Sequence, residues 1–168
     1  DTVTINGLTG VYADANAGTG KTVMLDSTGA TADNTDKYTV TYPATATGDI
    51  GPRQVTVTVT LSGNDLKTDT SVTPNVYYYD YDGTDKTPNV TVTGTDDGGY
   101  RATLAASDYD VAYTDNKNVG EATVTVTAKA GGNYTFNDVE ITFAIRKAGA
   151  VLTSSPQAKD LTYEKGTE

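Results

Sequence analysis

Between residues 54 and 61 the chain reads "QVTVTVTL", with Val55, Val57 and Val59 alternating against Thr56, Thr58 and Thr60. A strict period of two cannot lie along one stripe of a helix, whose faces repeat every 3.6 residues. It does sort cleanly onto the two faces of a strand. The same pattern returns at Val90 and Val92, at Val124 and Val126, and in Tyr109, Val111 and Tyr113. It returns again in Ile141, Phe143 and Ile145, and in Tyr38, Val40 and Tyr42. Threonine suits the wet face because it is β-branched yet polar. The runs therefore predict half-buried antiparallel strands. "NG", "DG", "DDGG", "AGG" and "SGN" punctuate them with residues that accept turn geometry. "YRATLAASD", the best candidate for a helix, is short and holds no 3.6 period, so it reads as a strand ending in a turn. The predicted class is all-β.

Composition narrows the chemistry. There is no histidine, cysteine or tryptophan, and one methionine. The commonest general base, the thiolate nucleophile and the usual zinc ligands are all missing. A formal charge of −10, from 22 acidic and 12 basic residues, repels phosphate backbones and anionic bilayers. The expected partners thus include no nucleic acid and no membrane, and no apolar run approaches the ~20 residues of a membrane-spanning helix. The opening "DTVTINGLTG" lacks the basic and apolar regions of a signal peptide.

The chain also resembles itself. Laid over residues 112–126, residues 11–25 put Tyr12 opposite Tyr113, Asp14 opposite Asp115, Gly18 opposite Gly120 and Val23 opposite Val124, with one residue of slippage. "KYT" at 37–39 then falls opposite "NYT" at 133–135, and Ile50 opposite Ile145. Farther on, "PNVYYYDYDGT" from Pro74 matches "PQAKDLTYEKGT" from Pro156, with Tyr81 opposite Tyr163. A rival alignment, "QVTVTV" on "ATVTVT", matches little beyond the alternation itself. The first alignment predicts three segments. Residues 1–50 are the back half of a repeat, 51–147 a complete one, and 148–168 the opening strand of a further one.

The succession "YDGTDKTPNVTVTG", "LAASDYDVAYTDNKNVGEATVTVTA" and "GGNYTFNDVEITFAIRKA" resembles the tandem extracellular repeats of bacterial cell-surface and adhesin-like proteins. The resemblance covers nearly the whole chain. It departs at "TYEKG", which has one residue more between Tyr and Gly than "YDG". It implies small antiparallel β-sandwich (Ig-like) modules, or alternatively β-grasp-like ones. It also implies an extracellular location at the bacterial surface, neighbouring repeats of the same chain as partners, and a structural rather than catalytic role.

The stretch "VYYYDYDGTDK" carries the sharpest candidate site. Its strand reading puts Tyr77, Tyr79 and Tyr81 on one face, and Tyr78, Asp80 and Asp82 on the other. Asp80, Asp82 and Asp85 around Gly83 are the candidate calcium ligands, since hard cations take carboxylate oxygens. The EF-hand pattern fails, because Thr91 stands where its distal glutamate belongs. Asp96 and Asp97, and Asp108, Asp110 and Asp115, form further acidic groups. Lys21, Lys86, Asn89 and Asn133 are candidates for a Lys–Asn cross-link. "AGTGKT" at 17–22 lacks the glycine spacing of a phosphate loop and runs into "TVML", a β-pattern. Twelve tyrosines offer stacking platforms, so a glycan- or protein-binding adhesive module is the alternative to a spacer. A glycosidase would need two carboxylates facing across ~5–9.5 Å.

Overall fold

The computed structural model describes residues 2–149, so the predicted segment 148–168 lies outside the described residues except for Ala148 and Gly149. Fifteen strands and no helix make up the described chain. In the first fifty residues β1 (Ile5–Asn6) pairs with β4 (Thr31–Ala32), and β2 (Thr9–Tyr12), β3 (Gly18–Asp26) and β5 (Thr45–Ile50) form an antiparallel sheet with β3 central. Next come β6 (Arg53–Gln54), β7 (Thr56–Ser62), β8 (Lys67–Asp69), β9 (Val76–Asp80) and β10 (Asn89–Thr95). The last five are β11 (Arg101–Thr103), β12 (Tyr109–Thr114), β13 (Gly120–Ala128), β14 (Tyr134–Thr135) and β15 (Val139–Arg146). A three-stranded sheet runs β11–β10–β7 and a five-stranded one β12–β13–β15–β9–β8.

Alternation decides which side of each sheet is dry. Val59 and Leu61 on β7 pair with Val92 and Val90 on β10, so all four share a face while Thr58 and Thr60 point away. On β13, Ala122, Val124 and Val126 meet Phe143, Ile141 and Val139 of β15. Side chains from both sheets then form one cluster that includes Val55, Val59, Leu61, Tyr79, Val92, Leu104, Val124, Val126, Phe143 and Ile145. At Gly94 of β10 the interior is filled from next door: a Cβ there would lie 3.2 Å from both Leu104 and Val55.

The two segments matched by internal similarity share several strand pairings, although β3 carries a register shift between Gly18 and Lys21 where β13 has none. Tyr12 pairs with Val23 across β2 and β3, as Tyr113 does with Val124 across β12 and β13. Gly18 pairs with Ile50 across β3 and β5, as Gly120 does with Ile145 across β13 and β15. They differ in burial. No residue from 2 to 50 is buried, and every member of the core cluster lies between Val55 and Ile145.

Two expectations need correcting. "KYTVTY" is not a strand: Lys37 and Tyr38 donate their backbone N–H groups to the Asn34 carbonyl, each at 3.0 Å, which makes a turn. Pro43, having no N–H, then limits the ladder to the residues after it. Nor is every pairing antiparallel. β15 runs parallel to β9, with Ile145 opposite Tyr79, and β14 runs parallel to β6, with Tyr134 opposite Arg53.

Candidate functional site

The tyrosine–aspartate stretch is a strand entering a turn. Ile145 fixes the face of Tyr79, whose ring meets Phe143 edge-on at 5.6 Å and 74°. Tyr77 packs on the same side, but Tyr81, beyond the end of β9, is 40% exposed. Tyr78 faces outward under the Arg146 guanidinium, 3.8 Å from its ring centre.

Each of the three expected calcium ligands faces its own lysine. Asp80 is ion-paired with Lys67, whose pKa it raises. Asp82 lies 2.6 Å from the Lys86 ammonium and accepts the Thr84 N–H and hydroxyl at 2.9 and 2.7 Å. The Lys86 hydrogen bond, then those from Thr84, hold the Asp82 carboxyl far below the usual carboxylate range. Asp85 stands 3.5 Å from Lys117, both largely exposed. Among the described residues no three acidic side chains come together in a way that could hold a metal ion.

Lys86 is the buried cation of this stretch. Asn116 secures its main chain twice, accepting the Lys86 N–H at 2.7 Å and donating its amide to the Lys86 carbonyl at 2.9 Å. The candidate cross-linking lysines thus spend their ammoniums on carboxylates, Lys86 on Asp82 and Lys21 on Asp14 at 2.5 Å. Asn89 sits in β10 opposite Ser62. Of the other acidic candidates, Asp110 pairs with Lys129 at 2.6 Å and Asp108 accepts the Ala105 N–H at 3.1 Å, while Asp115 stands in a turn with a positive φ of 54°.

The second candidate is the junction where residues 16–19 and 49–52 meet 128–135. A groove of about 560 Å³ lies here, lined by Ile50, Pro52, Ala128, Tyr134 and the backbone of Gly131 and Gly132. Asn133 stitches the sides together. Its Oδ1 accepts the Ala17 N–H at 2.7 Å, its Nδ2 donates to Asn16 Oδ1 at 3.1 Å, and its carbonyl accepts the Arg53 N–H at 2.8 Å. Arg53 continues the tie: its guanidinium lies 4.2 Å from the centre of the Tyr100 ring and its Nε donates to Asp96 at 2.8 Å. The Tyr100 and Tyr134 hydroxyls sit 2.6 Å apart. That hydrogen bond, then burial, raises the Tyr134 pKa, and Arg53 lowers that of Asp96. A carboxyl kept ionised in this way is poorly suited to act as a general acid, although Asp96, Asp97 and Asp138 line a neighbouring groove of about 350 Å³.

Sequence reasoning passed over Asp69, the anchor of β15's outer end. It accepts the Ser71 hydroxyl and N–H at 2.5 and 3.1 Å and Arg146 Nη2 at 2.9 Å. These contacts, the Ser71 hydroxyl first, lower its pKa from 3.8 to about 2. A pKa depressed in the fold means stabilisation fully present above pH 3.8 and lost as pH falls toward 2. Carboxyl-carbon NMR should therefore show Asp69 titrating near pH 2, and the melting temperature should decline across that window. In Arg146→Gln the titration should move up toward 3.8; an unmoved midpoint would remove Arg146 from the account.

No protein-family model, curated protein or solved structure matches the chain.

Proposed function

We propose that this chain is a non-catalytic spacer from a bacterial surface or secreted adhesin-like protein, built of tandem β-sandwich modules of Ig-like type. Residues 51–147 form one complete module, and residues 1–50 are the back half of another. The shared register carries this reading: Tyr12–Val23 and Gly18–Ile50 are laid out like Tyr113–Val124 and Gly120–Ile145. Alternating strands would agree in period alone, but agreement in partners as well points to a duplicated unit. Its chemistry is in keeping with a spacer. Asp80, Asp82 and Asp69 are paired with Lys67, Lys86 and Arg146, and rings such as Tyr79, Tyr109 and Tyr113 pack against the core. The module's contribution is geometric: a dry Val/Tyr/Ile interior, a wet Thr/Asp exterior and a hydrogen-bonded junction that passes the chain onward.

Antibodies raised against the purified chain should label intact cells of the organism that makes it, and its melting temperature should not move in millimolar calcium. Labelling only after lysis would overturn the surface location. A rise of several degrees would promote the acidic turn to a binding site, and a saturable ligand on a glycan array would favour the adhesive alternative.

A further inference from the structure

The N-terminal sheet is attached to the 51–147 segment in two different ways. One is covalent: β5 ends at Ile50 and β6 begins at Arg53, so Gly51 and Pro52 form the connection. Both are exposed, and a Cβ on Gly51 would meet nothing within 4 Å. Proline fixes its own φ, but the glycine keeps wide torsional freedom, so this link alone permits turning. The other attachment is the loop between β2 and β3. There the Asn133 carboxamide accepts the Ala17 N–H at 2.7 Å and donates to Asn16 Oδ1 at 3.1 Å. A body held by one flexible link can swivel about it, and a second, directional attachment removes most of that freedom.

Both sides of this second attachment are held in place. On the loop side, Asp14 Oδ1 accepts the Asn16 N–H at 2.9 Å and the Lys21 ammonium at 2.5 Å, and Lys21 belongs to the β3–β5 ladder opposite Gly48. On the other side, Asn133 is gripped through its backbone. Its carbonyl accepts the Arg53 N–H at 2.8 Å, and two residues on the Thr135 carbonyl accepts the Val55 N–H at 3.0 Å. Just before it, the Gly132 N–H closes a turn on the Lys129 carbonyl at 3.0 Å, and Gly131 takes a φ of 72°. The task at position 133 is to offer one acceptor and one donor from a single short group. A carboxamide does this, whereas an alkyl side chain offers neither.

We propose that the Asn133 carboxamide is a latch that holds the N-terminal sheet at a fixed angle to the 51–147 segment, and that without it the junction swivels about Gly51 and Pro52. Units joined through a small polar contact move relative to one another by default, so a set angle needs directed bonds of this kind. The groove lined by Ile50, Pro52, Ala128 and Tyr134 draws its walls from both sides of the junction, so it keeps its shape only while the latch is closed. The latch stands on these contacts and not on the spacer reading, so either can fail without the other.

The full chain has no cysteine, so a pair can be introduced to carry spin labels. Ser27→Cys lies just past the end of β3 and Asn118→Cys just before the start of β13, both at exposed positions. Gly18 and Ala128, at the other ends of these strands, lie at the junction. Nine residues of strand cover about 30 Å, so the label separation reports the angle between the two units. Double electron–electron resonance should give one narrow distance peak in the parent. Asn133→Ala and Asn133→Leu should broaden it to about twice its width or more, as expected of units joined by a short linker alone. Their melting temperature should not change, because the ladder bonds at 133 and 135 are main-chain ones. Asn16→Ala should broaden the peak less, and should add nothing to Asn133→Ala. A peak as narrow in both Asn133 variants as in the parent, or a parent peak already broad, overturns the proposal. So does loss of the melting transition in both variants, which would make Asn133 a requirement for folding and not a latch.

Discussion

Phe143→Ala is expected to destabilise the chain by about 3–5 kcal/mol, the usual cost of removing a fully buried aromatic ring. Phe143 is 1% exposed and forms the edge-on contact with Tyr79. Its strand is the central link of the larger sheet, held by β13 on one side and β9 on the other. Losing the ring opens a cavity between two sheets that share one cluster, and neighbouring strands pinned by ladders on both sides cannot collapse into it. The matching position in the N-terminal sheet is Gly48, with Tyr12 lying against it. Val23→Ala, in the place that corresponds to Val124, should therefore cost less than about 1.5 kcal/mol, since Val23 is only half-buried. Urea denaturation followed by circular dichroism measures both. A Phe143 variant within 1 kcal/mol of the parent would mean that the two sheets do not share a core.

Gly94→Leu is the second large effect, about 1–3 kcal/mol of destabilisation by overpacking. A bare Cβ, 3.2 Å from Leu104 and Val55, needs its neighbours to yield a few tenths of an ångström. Three further carbons have nowhere to go, because Gly94 is buried between Val57 on one strand and Ala102 on the other. Cavity and insert should offset each other in the double variant Gly94→Leu/Leu104→Ala, which should lose at least 1 kcal/mol less than the two single losses added together. Simple additivity would show that Leu104 does not fill the space above the glycine.

The strands that could be read from the sequence are those with one wet and one dry face. Val55, Val57 and Val59 against Thr56, Thr58 and Thr60 needed no neighbour to be interpreted, because period two follows from strand geometry alone. "KYTVTY" carries the same alternation and fails, because Lys37 and Tyr38 turn back onto the Asn34 carbonyl and Pro43 interrupts the donors. Periodicity tells which way a residue points and not which strand lies beside it. The parallel partnership of β9 with β15 was therefore invisible, although the duplicated register could be traced from Tyr12, Gly18, Val23 and Ile50. The acidic turn shows the same limit. Asp80, Asp82 and Asp85 cluster in sequence, but two of their lysines, Lys67 and Lys117, come from distant segments. Lys86, four residues after Asp82, was the one local hint that these charges were already balanced. Asn133 was noticed within "NYT", but nothing near it in sequence announces an amide that reaches residues 16 and 17.

The parallel run of β15 beside β9 has a consequence for load. A pull that separates Arg53, at the junction, from Arg146, at the far end, acts along β15 and not across it. The ladder bonds on both its edges then share the force and must slide together, whereas an antiparallel hairpin pulled open from its two ends yields one bond at a time. With Asp69 and the Tyr78 ring gripping the Arg146 guanidinium, the strand is clamped at the point where traction enters.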